Sequence, residues 1–110
     1  MKIDISCSNV DMTPAFSEYI EEKIGSCADI VKRFEENGEL DLFFKMVRTT
    51  KHQHGDVFMG EAMIQLPGKT IHAKATGSDA RAVVDDLKDE LKIELRKYKE
   101  RAVSKERGGK

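Results

Sequence analysis

Apolar and polar residues alternate from the start of the chain, Ile3, Ile5 and Cys7 against Lys2, Asp4 and Ser6. That period of two predicts a half-buried strand. Thr13-Pro14 follows, a capping side chain ahead of a proline, the pair favoured where a helix begins. The apolar spacing then changes to three and four: Phe16, Ile20, Ile24, Cys27, Val31 and Phe34 form one stripe. This predicts a single helix through about residue 36. Gly25 lies inside it, at a cost of up to about 1 kcal/mol relative to alanine, and Asn37-Gly38 provides its close. Leu40, Leu42, Phe44 and Met46 alternate again as a second strand. The polar stretch Thr49 to Asp56 is expected to be a mobile loop. Phe58, Gly60, Ala62 and Ile64 predict one face of a third strand, and Ile71, Ala73 and Ala75 one face of a fourth. Pro67-Gly68 between them suits the central pair of a type II turn. Gly77-Ser78-Asp79 ends the fourth strand and offers a cap to a last helix. There Ala80, Val83, Val84, Leu87, Leu91, Leu95 and Tyr98 repeat at three and four among strong helix formers.

The expected order is β-α-β-β-β-α. A helix joins the first two strands, so they should be parallel with a right-handed crossover, and two hairpins complete the sheet. The fold class is α+β: a two-layer sandwich, a four-stranded mixed sheet with two helices on one face. Residues 1–104 are read as one domain, and 105–110, ending Arg107-Gly108-Gly109-Lys110, as a disordered basic tail. A last helix from about Asp79 to about Ser104 would run roughly 39 Å. An eight-residue strand spans only about 27 Å. The helix should therefore overhang the sheet, carrying Arg96, Lys97, Lys99 and Arg101 beyond the core.

Composition sharpens this picture without changing it. The 110 residues suit one domain. Charged residues make up 35%, above the quarter typical of globular chains, alongside 39% hydrophobic residues. No apolar run approaches the roughly 18 residues of a membrane span, and the N-terminal alternation is unlike a signal peptide. Two cysteines without a secretion signal fit a reduced compartment. A cytoplasmic, single-domain protein is expected, neither secreted nor spanning a membrane.

The net charge of −1 hides a polarity. Residues 1–44 carry 4 basic and 10 acidic side chains, whereas residues 91–110 carry 8 and 3. At 100° per residue, Arg81, Lys88, Lys92, Arg96 and Lys99 fall in one band flanking the last helix's apolar stripe. Cations at one-turn intervals suit a phosphate backbone, because each contact releases condensed counterions. A solvated helix face laced with intrahelical ion pairs reads equally well from charge alone. Both readings stay open at this point. Lys23, Lys32 and Arg33 are the first helix's cations, but six acidic residues share it with them.

Other chemistry is thin. Gly68-Lys69-Thr70 resembles the end of a phosphate-binding loop, yet Met63 stands where its first glycine belongs and strands flank it on both sides. His52, His54 and His72 lack cysteine or carboxylate partners at ligand spacing, so neither metal nor cofactor is expected. Cys7 and Cys27 fall on apolar stripes, as packing groups. Tyr19 and Tyr98 are read as core-edge residues. No nucleophile has an oriented base, so no enzymatic activity and no small-molecule substrate are expected.

One resemblance spans about residues 1–102. It rests on Pro67-Gly68-Lys69-Thr70-Ile71-His72-Ala73-Lys74-Ala75-Thr76-Gly77-Ser78-Asp79, with Ala82, Asp85, Leu87, Leu91, Leu95, Lys97 and Lys99 beyond it. Asn9-Val10-Asp11-Met12-Thr13-Pro14-Ala15 agrees at the front. Together these residues resemble the ribosome hibernation promoting factor family, which includes the ribosome-associated inhibitor also called protein Y. The resemblance implies a non-enzymatic stress-response translation inhibitor, monomeric when free. Its partner would be the small ribosomal subunit, where it occupies the decoding channel across the A and P tRNA sites and contacts rRNA. The chain resembles the family's short form, without the second domain that joins ribosomes into dimers. Recognition would be of RNA shape and phosphate, as in double-stranded RNA binding domains, whose layout this one extends by a strand. The RNA-binding residues expected are Lys23, Arg81, Lys88, Lys92, Arg96, Lys97, Lys99 and Arg101. Ser26, Asp29, Arg81, Glu90 and Ile93 depart from the family's pattern, which shifts the burden from the first helix to the last. The rival reading is a protein-interaction module without RNA affinity, using the acidic first helix and the free sheet edges.

Overall fold

The computed structural model of the chain describes residues 2–34, 41–49, 57–66 and 68–108. Its elements are β1 (Lys2–Ser8), α1 (Pro14–Gly25), a 3-10 segment (Ser26–Phe34), β2 (Asp41–Arg48), β3 (Phe58–Leu66), β4 (Lys69–Gly77) and α2 (Ala80–Gly108). The four strands form one sheet in the order β1-β2-β3-β4. β1 runs parallel to β2, with Ile3 beside Leu42, Ile5 beside Phe44 and Cys7 beside Met46. β2–β3 and β3–β4 are antiparallel. The expected α+β two-layer sandwich is therefore the observed one, with a mixed sheet under its helices.

Alternation decides which face of the sheet is covered. Leu42, Phe44 and Met46 on β2, Ala62 and Ile64 on β3, and Ile71 and Ala73 on β4 are all buried. They meet Phe16, Ile20 and Ile24 of α1, Cys27 and Val31 of the 3-10 segment, and Val83, Val84, Leu87, Leu91 and Leu95 of α2. Each Val, Leu, Ile, Phe or Met among them contributes about 1.5–3 kcal/mol by leaving water. Gly60 lets α2 sit close. A Cβ there would stand 2.8 Å from both Leu87 Cδ1 and Val83 Cγ1, inside any normal contact. The opposite face carries Phe43, Met59, Glu61, His72 and Lys74 toward solvent or only partly covered.

Both helix starts are made as the sequence predicts. The Phe16 amide donates to Thr13 Oγ1 at 3.1 Å, and Pro14 takes the first helical turn. The Arg81 amide donates to Asp79 Oδ1 at 3.2 Å. Gly68 turns the β3–β4 hairpin with φ at +76°, the value a type II turn needs at its third position. Asn9 is also left-handed, φ 60°, where the chain leaves β1. Asparagine tolerates that region better than most side chains.

Two expectations need correction. The first helix is not single: α1 stops at Gly25, and Ser26 to Phe34 winds as 3-10 with a non-helical turn at Val31. Cys27 and Val31 are nonetheless buried and Ile30 partly buried, so these apolar positions still face the core although the α-helix has ended. The second correction concerns the tail. α2 continues to Gly108, so residues 105–108 are helical rather than disordered. Gly109 and Lys110 lie outside the described residues, as do residues 50–56 of the expected mobile loop, the Asn37-Gly38 close and Pro67.

The length mismatch is present as expected. At 29 residues α2 spans roughly 43 Å, against roughly 30 Å for a nine-residue strand. Among the described side chains, which run to Arg101, Leu95 is the last that is fully buried and Tyr98 the last partly buried, while Lys99, Glu100 and Arg101 are exposed.

Candidate nucleic-acid interface

The seam between α1 and α2 is pinned by one tyrosine. Tyr19 donates its hydroxyl to Asp85 Oδ1 at 2.6 Å, across 66 residues of sequence. Its ring carries the Arg81 guanidinium at 4.8 Å and the Lys23 ammonium at 5.6 Å from the centroid. Such cation–ring contacts are worth about 0.5–1 kcal/mol at exposed sites. The Tyr19 phenol is pushed above its ordinary value, first by the hydrogen bond to Asp85 and then by burial, with Arg81 opposing. Arg81 and Lys23, from different helices, are thus brought to one point.

Further along the seam the cationic band passes beside Cys27. That thiol is fully buried and donates toward the Lys88 carbonyl at 3.7 Å. Burial pushes it up to about 11, against the pull of the nearby Lys92 and Lys88 charges. Lys88 is half-buried and pairs with Asp89 at 3.4 Å. Lys92 is half-buried, and Arg96 and Lys99 are exposed. Among the described residues, Arg81, Lys92, Arg96 and Lys99 form no ion pair with a carboxylate. The pairs that do form are intrahelical, such as Lys97–Glu94, or cross-strand, such as Lys74–Glu61, each at 3.4 Å.

Six of the eight expected residues therefore share one side. Lys23, Arg81, Lys88, Lys92, Arg96 and Lys99 follow the α1–α2 seam and its continuation. Lys97 and Arg101 do not: at 100° per residue they fall on the other flank of α2, and Lys97 is engaged by Glu94. Sequence neighbourhood had grouped them with Lys99; helical angle separates them. Sequence reasoning also passed over Arg48, at the end of β2, whose guanidinium stacks 5.7 Å above the Phe58 ring. A lone arginine at a strand end carries no periodic signal that could have singled it out.

The remaining candidates resolve simply. Tyr19 and Tyr98 both pack at the edge of the core. Cys27 is buried and Cys7 half-buried, both free thiols. His72 is exposed with Nε2 3.0 Å from Met63 Sδ, and His52 and His54 lie outside the described residues. Among the described residues no three metal-ligating side chains cluster, and no helix is long and apolar enough to cross a membrane.

The molecule is thus a β-α-β-β-β-α domain whose two helices expose a shared cationic seam above a four-stranded sheet. The chain belongs to the family described as Sigma 54 modulation protein / S30EA ribosomal protein, whose profile matches residues 3–103. It is similar to the ribosome hibernation promoting factor of Klebsiella oxytoca, 27% identical over 101 residues, 92% of this chain and 96% of that protein. The protein of the same name from Escherichia coli (strain K12) is 28% identical over 101 residues, with the same shares of 92% and 96%. Two solved structures share the fold. The Thermus thermophilus protein Y N-terminal domain has a TM-score of 0.69 at 22% identity, covering 89% of this chain and 99% of that one. A ribosomal subunit interface protein from Coxiella burnetii has a TM-score of 0.66 at 28% identity, covering 90% and 98%.

Proposed function

We propose that the protein is a non-enzymatic, cytoplasmic ribosome-binding factor that inhibits translation and preserves idle ribosomes. It acts as a monomer on the small subunit, in the decoding channel across the A and P tRNA sites. There the seam cations hold rRNA phosphates while the bulk of the domain excludes tRNA and mRNA. One observation carries the nucleic-acid part of this reading. Lys92, Arg96 and Lys99 stand along one flank of a helix that outruns its sheet, without carboxylate partners among the described residues. The relatives' names, ribosome hibernation promoting factor, supply the target.

Co-sedimentation with purified small subunits across a salt series tests the reading. Affinity is expected to fall on the order of 10³-fold between 50 and 200 mM salt if six phosphates are engaged. Binding that ignores salt would instead indicate a protein–protein contact and overturn the phosphate reading.

A further inference from the structure

At the opposite end of the molecule from the overhang, the end of β1 meets the starts of α1 and α2. An open cleft of about 310 Å³ lies there, with Asn9, Asp11, Arg48, Phe58, Asp79 and Arg81 in its walls. Its two arginines come from β2 and α2, and each lies over an aromatic ring, Arg48 on Phe58 and Arg81 on Tyr19. A guanidinium braced on one face keeps its second face and its N–H edge for a ligand. Planar bases stack on such faces, and phosphates accept from such edges.

Charge narrows the ligand further. Asp11 and Asp79 offset the two guanidinium charges, so a bare anion gains little by entering. Asp79 accepts the Arg81 amide through Oδ1 and keeps Oδ2, while Asp11, exposed in the cleft wall, has both carboxylate oxygens to receive hydrogen-bond donors. The volume sits at the lower end of the roughly 300–1,000 Å³ of small-molecule pockets, room for one nucleotide and not for a stack of them.

We propose that this cleft is a single-nucleotide pocket. The base stacks on a ring-braced guanidinium with its donor edge toward Asp11, and the phosphate takes the N–H edges of Arg48 and Arg81. Guanine, with adjacent imino and amino donors, suits a carboxylate best. The nucleotide can be free or splayed from an RNA; only the second source rests on the ribosome-binding reading.

The test is a nitrogen-15 NMR titration of the full chain with GMP, AMP, CMP, UMP and inorganic phosphate. Saturable shifts are expected at the amides of Val10, Asp11, Arg48 and Arg81, with GMP tightest and inorganic phosphate weakest. Arg48 is exposed and its removal loses the contact with the Phe58 ring, so Arg48→Gln should melt within a few degrees of wild type and weaken GMP on the order of tenfold or more. Arg48→Lys should weaken it too, because an ammonium does not stack flat. Small-subunit sedimentation separates the sources. GMP and Arg48→Gln each weaken it if the nucleotide belongs to RNA, and neither does if it is free. No cleft shifts with any nucleotide, or Arg48→Gln titrating like wild type, would overturn the proposal. The titration contains no ribosome, so failure of the wild-type protein to sediment would count against the ribosome reading alone.

Discussion

Lys92, Arg96 and Lys99 offer the sharpest test of the seam, because their charges can be removed without touching the core. The perturbation is the triple change Lys92→Gln, Arg96→Gln and Lys99→Gln. Glutamine keeps much of each aliphatic stem, which matters most at the half-buried Lys92. If each cation neutralises one phosphate, the slope of log affinity against log salt becomes shallower by roughly 0.9 per residue, about 2.7 in all. Between 50 and 200 mM salt, a fourfold change, the variant should then lose roughly 40-fold less affinity than the parent. Surface substitutions away from packing and caps usually stay within about 0.5 kcal/mol, so the melting temperature should move by only a few degrees. The assay is sedimentation with small subunits at five or six salt concentrations, beside thermal unfolding. An unchanged slope would refute the placement of phosphates on this flank. Collapse of the fold would refute the claim that these residues stand off the core.

Two more outcomes follow from the packing. Gly60→Ala should destabilise the domain by about 1–3 kcal/mol, since the new methyl lands 2.8 Å from Leu87 Cδ1 and Val83 Cγ1; pairing it with Leu87→Ala in a double-mutant cycle should cost less than the sum. A Gly60→Ala variant melting with the parent would contradict the close seat of α2. For Cys27, the folded thiol keeps its proton longer than the unfolded one, from 9.0 up to about 11. Its contribution is therefore complete below pH 9 and lost as pH rises toward 11. Denaturant unfolding at stepped pH should show a smaller decline for Cys27→Ala over that window than for the parent, and equal declines would refute the burial argument.

The sheet was legible in the sequence because period-two alternation has one structural meaning in Leu42–Met46 and Ile71–Ala75. α2 was legible because its pattern and its propensities agree. The break at Gly25 was not, since an α-helix and a 3-10 turn both bring residues three apart to the same side. The glycine's cost was visible; its consequence, a change of helix type, depended on how the 3-10 segment packs on α2. In the seam, the band from Arg81 to Lys99 follows from angle alone. The Tyr19–Asp85 tie does not, because no local rule links side chains 66 residues apart. That tie is what sets Lys23 beside Arg81, and Arg48 on its ring is equally a product of the folded sheet.

The overhang of α2 has a consequence for how the molecule travels. Residues 79–90 hold five acids and two bases, and residues 91–101 hold two acids and five bases. Acidic side chains therefore gather in the first half of α2 and basic ones toward the part that outruns the sheet. Laid along a body 55 Å in its longest dimension, the same split gives a nearly neutral particle a large electric moment. Near a polyanion such a particle feels a torque before it feels a pull, and swings its protruding tip inward. Orientation would then precede contact, and shortening the helix would slow arrival more than it weakens the bound state.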